Sequence, residues 1–300
     1  MKSCQLPPLL KPGDLLQVIA PSGALREVEA FHQGVEIWRK RGYRVEISAD
    51  IDNCWGYLAG KDGDRRCQLL NAWKDPECRA ILCARGGYGS ARLLEEGLGE
   101  FIFSSAFPPK WLIGFSDITA LLWSLSAVGI SGIHAPVLTT LAKEPDWSIQ
   151  RLFDIVESHT ITSLVGVGWG GGSASGILLP ANLTVATHLL GTPIQPELDG
   201  VILALEDVTE APYRIDRLLT QWRLSGAFTK VRGIALGRFS RCEPPPNIPS
   251  LTIEEVLRDR LGNLGIPIVS DLPFGHDGAN AALPVGIPVQ LDGNEGILSF

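Results

Sequence analysis

Residues Trp111–Leu125 read WLIGFSDITALLWSL. Four apolar or small residues of strand length come first, and Phe115, Ser116 and Asp117 follow. Ile118, Leu121, Leu122 and Leu125 then recur at i, i+3, i+4 and i+7. That is the strand-to-helix step of an α/β protein. The stretch leaves the role of Ser116 open. Serine is a favoured N-cap, and an aspartate suits a first helical turn. The same position places a serine at the carboxyl end of a parallel strand, where α/β sheets bind ligands and helix-start N–H groups hold anions. Thr119 stands where a capping box wants Glu or Gln, and Ile118 breaks the G-x-S-x-G elbow.

Outward from this stretch the alternation continues. Upstream, LLQVIAPSG (15–23), YRVEIS (43–48) and RAILCAR (79–85) have strand character. EVEAFHQGVEIWRKRG (27–42), GDRRCQLLNAWKD (63–75) and SARLLEEGL (90–98) have helical spacing, and SGIHAPV (131–137) closes with a strand. This predicts an α/β fold with an N-terminal, mostly parallel sheet flanked by helices over 1–150. GVGWGGGSASG (166–176) reads as a loop, because glycine is poorly suited to element interiors. A linker is therefore placed at 151–175. A second, smaller α+β or mixed domain is expected over 176–300. Its helices are NLTVATHLLGT (182–192), APYRIDRLLTQWRLSG (211–226) and TIEEVLRDRLGNLG (252–265). Its strands are GVILALEDV (200–208), VRGIALGRF (231–239), PIVSDLPFG (267–275), ALPVGIPVQLD (282–292) and GILSF (296–300). In the middle helix Ile215, Leu218, Leu219 and Trp222 form one apolar stripe, which is core packing.

Composition narrows the function classes. The chain has 300 residues, 45 % hydrophobic and 20 % charged, with a formal net charge of −7. That suits a globular enzyme and disfavours a general nucleic-acid binder. No apolar run reaches the roughly 18 residues of a membrane span. The six cysteines form no CxxC pair, so no zinc ribbon is expected and free thiols of a reducing compartment are. With no secretory signal in MKSCQLPPLLKPGDLL, a cytoplasmic location is expected.

A serine nucleophile needs a base and a group that orients it. Of the five histidines, His134 and His276 follow strands, and His276 sits between Gly275 and Gly278. For the acid, Glu206, Asp207 and Glu210 lie between an apolar strand and a helix. Acids at a helix entry are also what the helix dipole favours. In ARGGYGSARLL (84–94), Gly86, Gly87 and Gly89 follow a buried strand. The turn lacks the P-loop lysine and the G-x-G-x-x-G spacing. Its backbone N–H groups with Arg85 suit an anionic group such as a carboxylate.

Six stretches together resemble one family. IAPSG, YLAGKDGDRRCQLLNAW, ARGGYGSARLL, IGFSDITALL, LEDVTEAPYRIDRLL and LPFGHDGANAALPVG occur in the order seen in the LD-carboxypeptidases, from about Pro12 to Asp292. These are serine peptidases that include the microcin C self-immunity proteins. The resemblance implies a triad of Ser116, Glu206 and His276. It implies oxyanion donors from the Asp117 amide and the Gly86–Gly87 turn, with Arg85 and Tyr88 lining the substrate end. It implies a murein tetrapeptide losing its terminal D-alanine, a homodimer, and no metal or organic cofactor. An amidase acting on peptidyl or aminoacyl nucleotides and a non-catalytic muropeptide sensor are the other readings. Two positions depart from the family pattern: Pro180-Ala181 precedes Asn182 in place of two glycines, and Ala135 follows His134.

Overall fold

The computed structural model describes residues 1–97, 107–244 and 246–300. The predicted strands and helices of the N-terminal half form at β1 (Leu15–Ile19), α1 (Val28–Lys40), β2 (Arg44–Ile47), α2 (Asp62–Lys74), β3 (Cys78–Cys83), β4 (Trp111–Gly114), α3 (Thr119–Ala127) and β5 (Ile133–His134). Two more helices follow, α4 (Leu138–Leu141) and α5 (Asp146–Ser158). One expectation changes. Ala91–Gly97 is a 3₁₀ helix, not an α-helix, with Leu93 and Leu94 buried. The predicted helix's last residue, Leu98, lies outside the described residues.

The chain divides into two compact units, Cys4–Ile161 with Ala282–Val285, and Met1–Ser3 with Thr162–Ala281 and Gly286–Phe300. In the first unit the strands run in the order β12-β5-β4-β3-β1-β2, where β12 is Leu283–Pro284. All pairs are parallel except β12 with β5. Alternate residues explain one layer. Leu16, Val18, Ala80, Leu82, Trp111, Ile113 and Ile133 join one buried cluster with Phe31, Val35 and Trp38 of α1 and Leu152, Phe153 and Val156 of α5. Each large side chain so buried contributes about 1.5–3 kcal/mol. The order reverses at β1: β2 lies on one side of it and β3 on the other. Loops 20–24 and 84–90 therefore leave the carboxyl ends of β1 and β3 at a topological switch point, with β4 next to β3.

In the second unit the order is β6-β14-β13-β8-β9-β10-β11-β7. Here β6 is Leu164–Val165, β7 Val167–Gly168, β8 Ser173–Asn182, β9 Val201–Val208, β10 Gly233–Ser240, β11 Ile268–Ser270, β13 Pro288–Asp292 and β14 Ile297–Ser299. The core β8-β9-β10-β11 is parallel. Its crossovers contain α6 (Leu183–Leu189), α7 (Pro212–Leu224) and α8 (Ile253–Leu261). Pro212 opens α7, and a Thr252–Glu255 capping box opens α8. Of the predicted stripe, Ile215, Leu219 and Trp222 are buried and Leu218 is half-buried.

The glycine-dense stretch 166–176 is not a loop throughout, because β7 and the start of β8 run through it. Glycine there allows backbones to approach closely. A Cβ on Gly168 would stand 2.2 Å from the Gly293 carbonyl oxygen, and one on Gly176 2.7 Å from that of Gly200. No described helix is long and apolar enough to cross a membrane. All six cysteines are free.

Candidate active site

Ser116 follows β4 and opens a single 3₁₀ turn, Ser116–Ile118, that leads into α3. It is not the cap that the local pattern allows. The residue before the turn is Phe115, and no side chain caps either helical segment. Ser116 instead has φ +63°, the left-handed region. A non-glycine residue held there costs on the order of 1–2 kcal/mol, and such strain concentrates at functional sites. Its neighbour in space is the glycine turn. A Cβ on Gly86 would lie 3.2 Å from Ser116 Cβ, a tight approach, and 3.4 Å from its Oγ, so glycine lets the two turns pack closely. Gly87 (φ +108°) and Gly89 (φ +127°) carry the turn through conformations that side chains resist.

Asp117 braces this arrangement. Its buried Oδ2 accepts from Ser22 Oγ at 2.5 Å and from the Ser90 amide at 2.8 Å, and its carbonyl accepts from Ser90 Oγ. One side chain thus ties the loop after β1 and the glycine turn to the Ser116 turn. Its amide lies at the start of that turn, where helical N–H groups lack intrahelical acceptors. Arg65, fully buried on α2, adds a second tie by donating to the carbonyls of Pro21 and Gly89. Asp117→Ala strands two buried donors and is expected to cost ~2–4 kcal/mol, measured by urea unfolding. A loss under about 1 kcal/mol would show that the brace is idle.

Arg85 and Tyr88 sit differently from one another. Arg85 Nε pairs with Glu27 at 3.0 Å, and its guanidinium covers Gly23. Tyr88 is half exposed, with its ring 5.8 Å from that of Tyr57. His134, the other candidate base, is fully buried in β5 beside the Phe115 ring.

The second unit brings Glu206 and His276 together. Glu206, on β9, is wholly buried, and its Oε2 lies 2.7 Å from His276 Nδ1. Its Oε1 accepts from Asn182 Nδ2 at 3.2 Å, and Asn182 is its register partner on β8. Glu210 instead pairs with Arg214 at 3.4 Å on the surface. Asp207 turns to the start of α6, where its Oδ2 accepts from the Thr184 amide and hydroxyl, each at 2.8 Å.

The His276 loop is held by its backbone. Arg238 Nε donates to the His276 carbonyl at 3.1 Å, and Ser240 Oγ donates to the same oxygen. Arg238 also reaches the Ala279 carbonyl, and buried Asn280 accepts from the Gly275 amide at 2.9 Å. Gly275 (φ +108°) passes close to the acid, since a Cβ there would stand 3.0 Å from Glu206 Cβ. Sequence reasoning missed Asn182, Arg238, Ser240 and Asn280 as supports, and Ser22 and Ser90 in the first unit. The only local signals were the Asn before a helix and the serine of IAPSG.

Burial, then the charge of neighbouring Glu206, pushes the Asp207 carboxyl up to about 6 from its usual 3.8. The native state then keeps this proton longer than the unfolded chain does. Asp207 ionisation therefore costs stability as pH rises through that window. Among the described residues no cluster of three or more His, Cys, Asp or Glu is placed to hold a metal ion.

The chain can be set beside known proteins. The LD-carboxypeptidase N-terminal domain model matches residues 16–135, and the LD-carboxypeptidase C-terminal domain model matches 175–291. A putative carboxypeptidase of Synechocystis sp. is 57 % identical over 97 % of this chain and 95 % of its own length. The murein tetrapeptide carboxypeptidase of Pseudomonas aeruginosa is 32 % identical over 92 % of each chain. The muramoyltetrapeptide carboxypeptidase structure from Oxalobacter formigenes is matched with a TM-score of 0.83 at 28 % identity, over 95 % of this chain and 97 % of that one. The microcin C7 self-immunity protein shares the fold, with a TM-score of 0.87 at 21 % identity over 99 % and 98 % of the two chains. With both domain models matched in order along most of its length, the chain belongs to the LD-carboxypeptidase family of serine peptidases.

Proposed function

We propose that this enzyme releases the terminal D-alanine of a murein tetrapeptide, cutting an amide between an L-centre and a D-residue, with Ser116, Glu206 and His276 acting as one triad. The observation that carries the reading is the 2.7 Å contact between the wholly buried Glu206 carboxylate and His276 Nδ1. A carboxylate on Nδ1 favours the tautomer with its lone pair on Nε2, the atom a general base uses. His276 takes the Ser116 proton as Oγ attacks the scissile carbonyl. Glu206 stabilises the imidazolium that forms. The Asp117 amide and the Gly86–Gly87 turn hold the oxyanion, at roughly 3 kcal/mol per donor. The imidazolium then protonates the leaving amine, D-alanine departs, and water hydrolyses the acyl-enzyme. The names of the Pseudomonas and Oxalobacter relatives support the substrate class.

The test offers the tetrapeptide with terminal D-alanine, its L-alanine diastereomer and an aminoacyl sulfamoyl nucleotide. Hydrolysis of the first is expected at least a hundredfold faster than that of the second, a gap of about 2.7 kcal/mol in transition-state binding. Cleavage of the nucleotide conjugate alone would replace this reading with the amidase.

A further inference from the structure

Adjacent strand residues point to opposite faces, and Glu206 and Asp207 follow that rule: one reaches His276, the other Thr184. A single amide nevertheless touches both. Asn182 Nδ2 lies 3.2 Å from Glu206 Oε1 and 3.2 Å from Asp207 Oδ1. Asn182 Oδ1 accepts from the Val185 amide at 3.1 Å, which fixes the direction the amide faces. Its two N–H groups are therefore presented to two buried carboxylates.

Bracing α6 explains only part of this. The Thr184 and Val208 amides and the Thr184 hydroxyl would satisfy a helix-start aspartate. The bridge to the acid that contacts His276 is additional, and it brings a second buried charge up behind Glu206. We propose that Asp207 is a positioning residue for the Glu206–His276 pair, acting through the shared Asn182 amide, with its negative charge favouring the imidazolium formed during attack. This rests on the triad reading above.

The surroundings of Asp207 are sparing in charge. Glu206 is its neighbour on β9. The Cys242 thiol, beyond β10, is pushed up to about 11 by burial and so stays neutral. Glu210, ahead of α7, is paired with Arg214. Arg238 of β10 is engaged with the His276 loop carbonyls. Asn182, Thr184 and the β10 register partner Phe239 carry no charge. The raised Asp207 carboxyl places its charge loss in the mildly acidic range. As pH falls, the charge behind Glu206 disappears and the imidazolium loses support.

The test compares wild type, Asp207→Asn and Thr184→Val by D-alanine release against pH and by NMR titration of the His276 ring. Asp207→Asn is expected to lower kcat roughly tenfold with KM within about twofold. It should also move the acid limb of kcat/KM and the His276 midpoint down by about half a pH unit or more. Thr184→Val keeps the carboxyl but removes a hydroxyl hydrogen bond that holds it down, so it should lose stability and move the acidic inflection up, opposite to Asp207→Asn. Unmoved midpoints in Asp207→Asn would overturn the proposal and leave Asp207 a brace for α6. If that variant does not fold, the wild-type ring titration decides. A second, acidic inflection supports the coupling, and a single-step curve overturns it. Since the NMR arm needs no turnover, an inactive wild type would indict the triad reading alone.

Discussion

Glu206→Gln is expected to lower kcat/KM roughly ten-thousandfold, while Glu210→Gln stays within about twofold of wild type. Glu206 lies near the end of β9 and Glu210 just after it, and their surroundings separate them. Glu206 is fully buried with Oε2 on His276 Nδ1, so an amide there can donate to the ring and favour the wrong tautomer. Glu210 makes a surface pair with Arg214, and exposed pairs of that kind contribute little. Steady-state D-alanine release checks both. Equal losses in the two variants, or near-normal activity in Glu206→Gln, would remove Glu206 from the triad.

Ser116→Ala is expected to cut turnover about a millionfold and to leave stability within about 1 kcal/mol. The two effects come from separate features. The Oγ caps no helix, so its loss removes the proposed nucleophile without releasing a buried partner. The backbone at φ +63° is the costly part, and alanine keeps that cost. Ser116→Gly should therefore unfold at slightly higher urea, by up to about 1 kcal/mol, because glycine adopts this region freely but loses more entropy on folding. A Ser116→Gly protein less stable than wild type by more than that amount would mean that the side chain holds the turn together.

Much of the architecture could be read from periodicity, because α1, α7 and α8 carry apolar stripes and β1, β3, β4 and β9 are apolar runs of strand length, whereas α3 is buried on all sides. The misreading at 166–176 has a physical source. Glycine breaks isolated elements, but at Gly168 and Gly176 it permits strands to pack against carbonyls that any Cβ would strike. At the site, local spacing leaves Ser116 between cap and nucleophile and Glu206 beside Asp207 and Glu210, and only the six stretches taken in order point to Ser116, Glu206 and His276 together. Their supports do not stand out. Arg238 holds the carbonyl of a residue 38 positions away, and Ser22 reaches an aspartate 95 positions away. No local spacing encodes such partners. Arg85 shows the converse, because a basic residue beside a glycine turn suggested an anion, and Glu27, 58 positions upstream, supplies one from the protein itself.

The decisive experiment is rapid acid quenching of the wild-type enzyme during turnover of a murein tetrapeptide, followed by peptide mapping by mass spectrometry. The predicted result is an adduct equal to the tetrapeptide less D-alanine on the peptide that contains Ser116, lost in Ser116→Ala together with D-alanine release. The same adduct on another side chain, or wild-type release of D-alanine by Ser116→Ala, would contradict the assignment of the nucleophile.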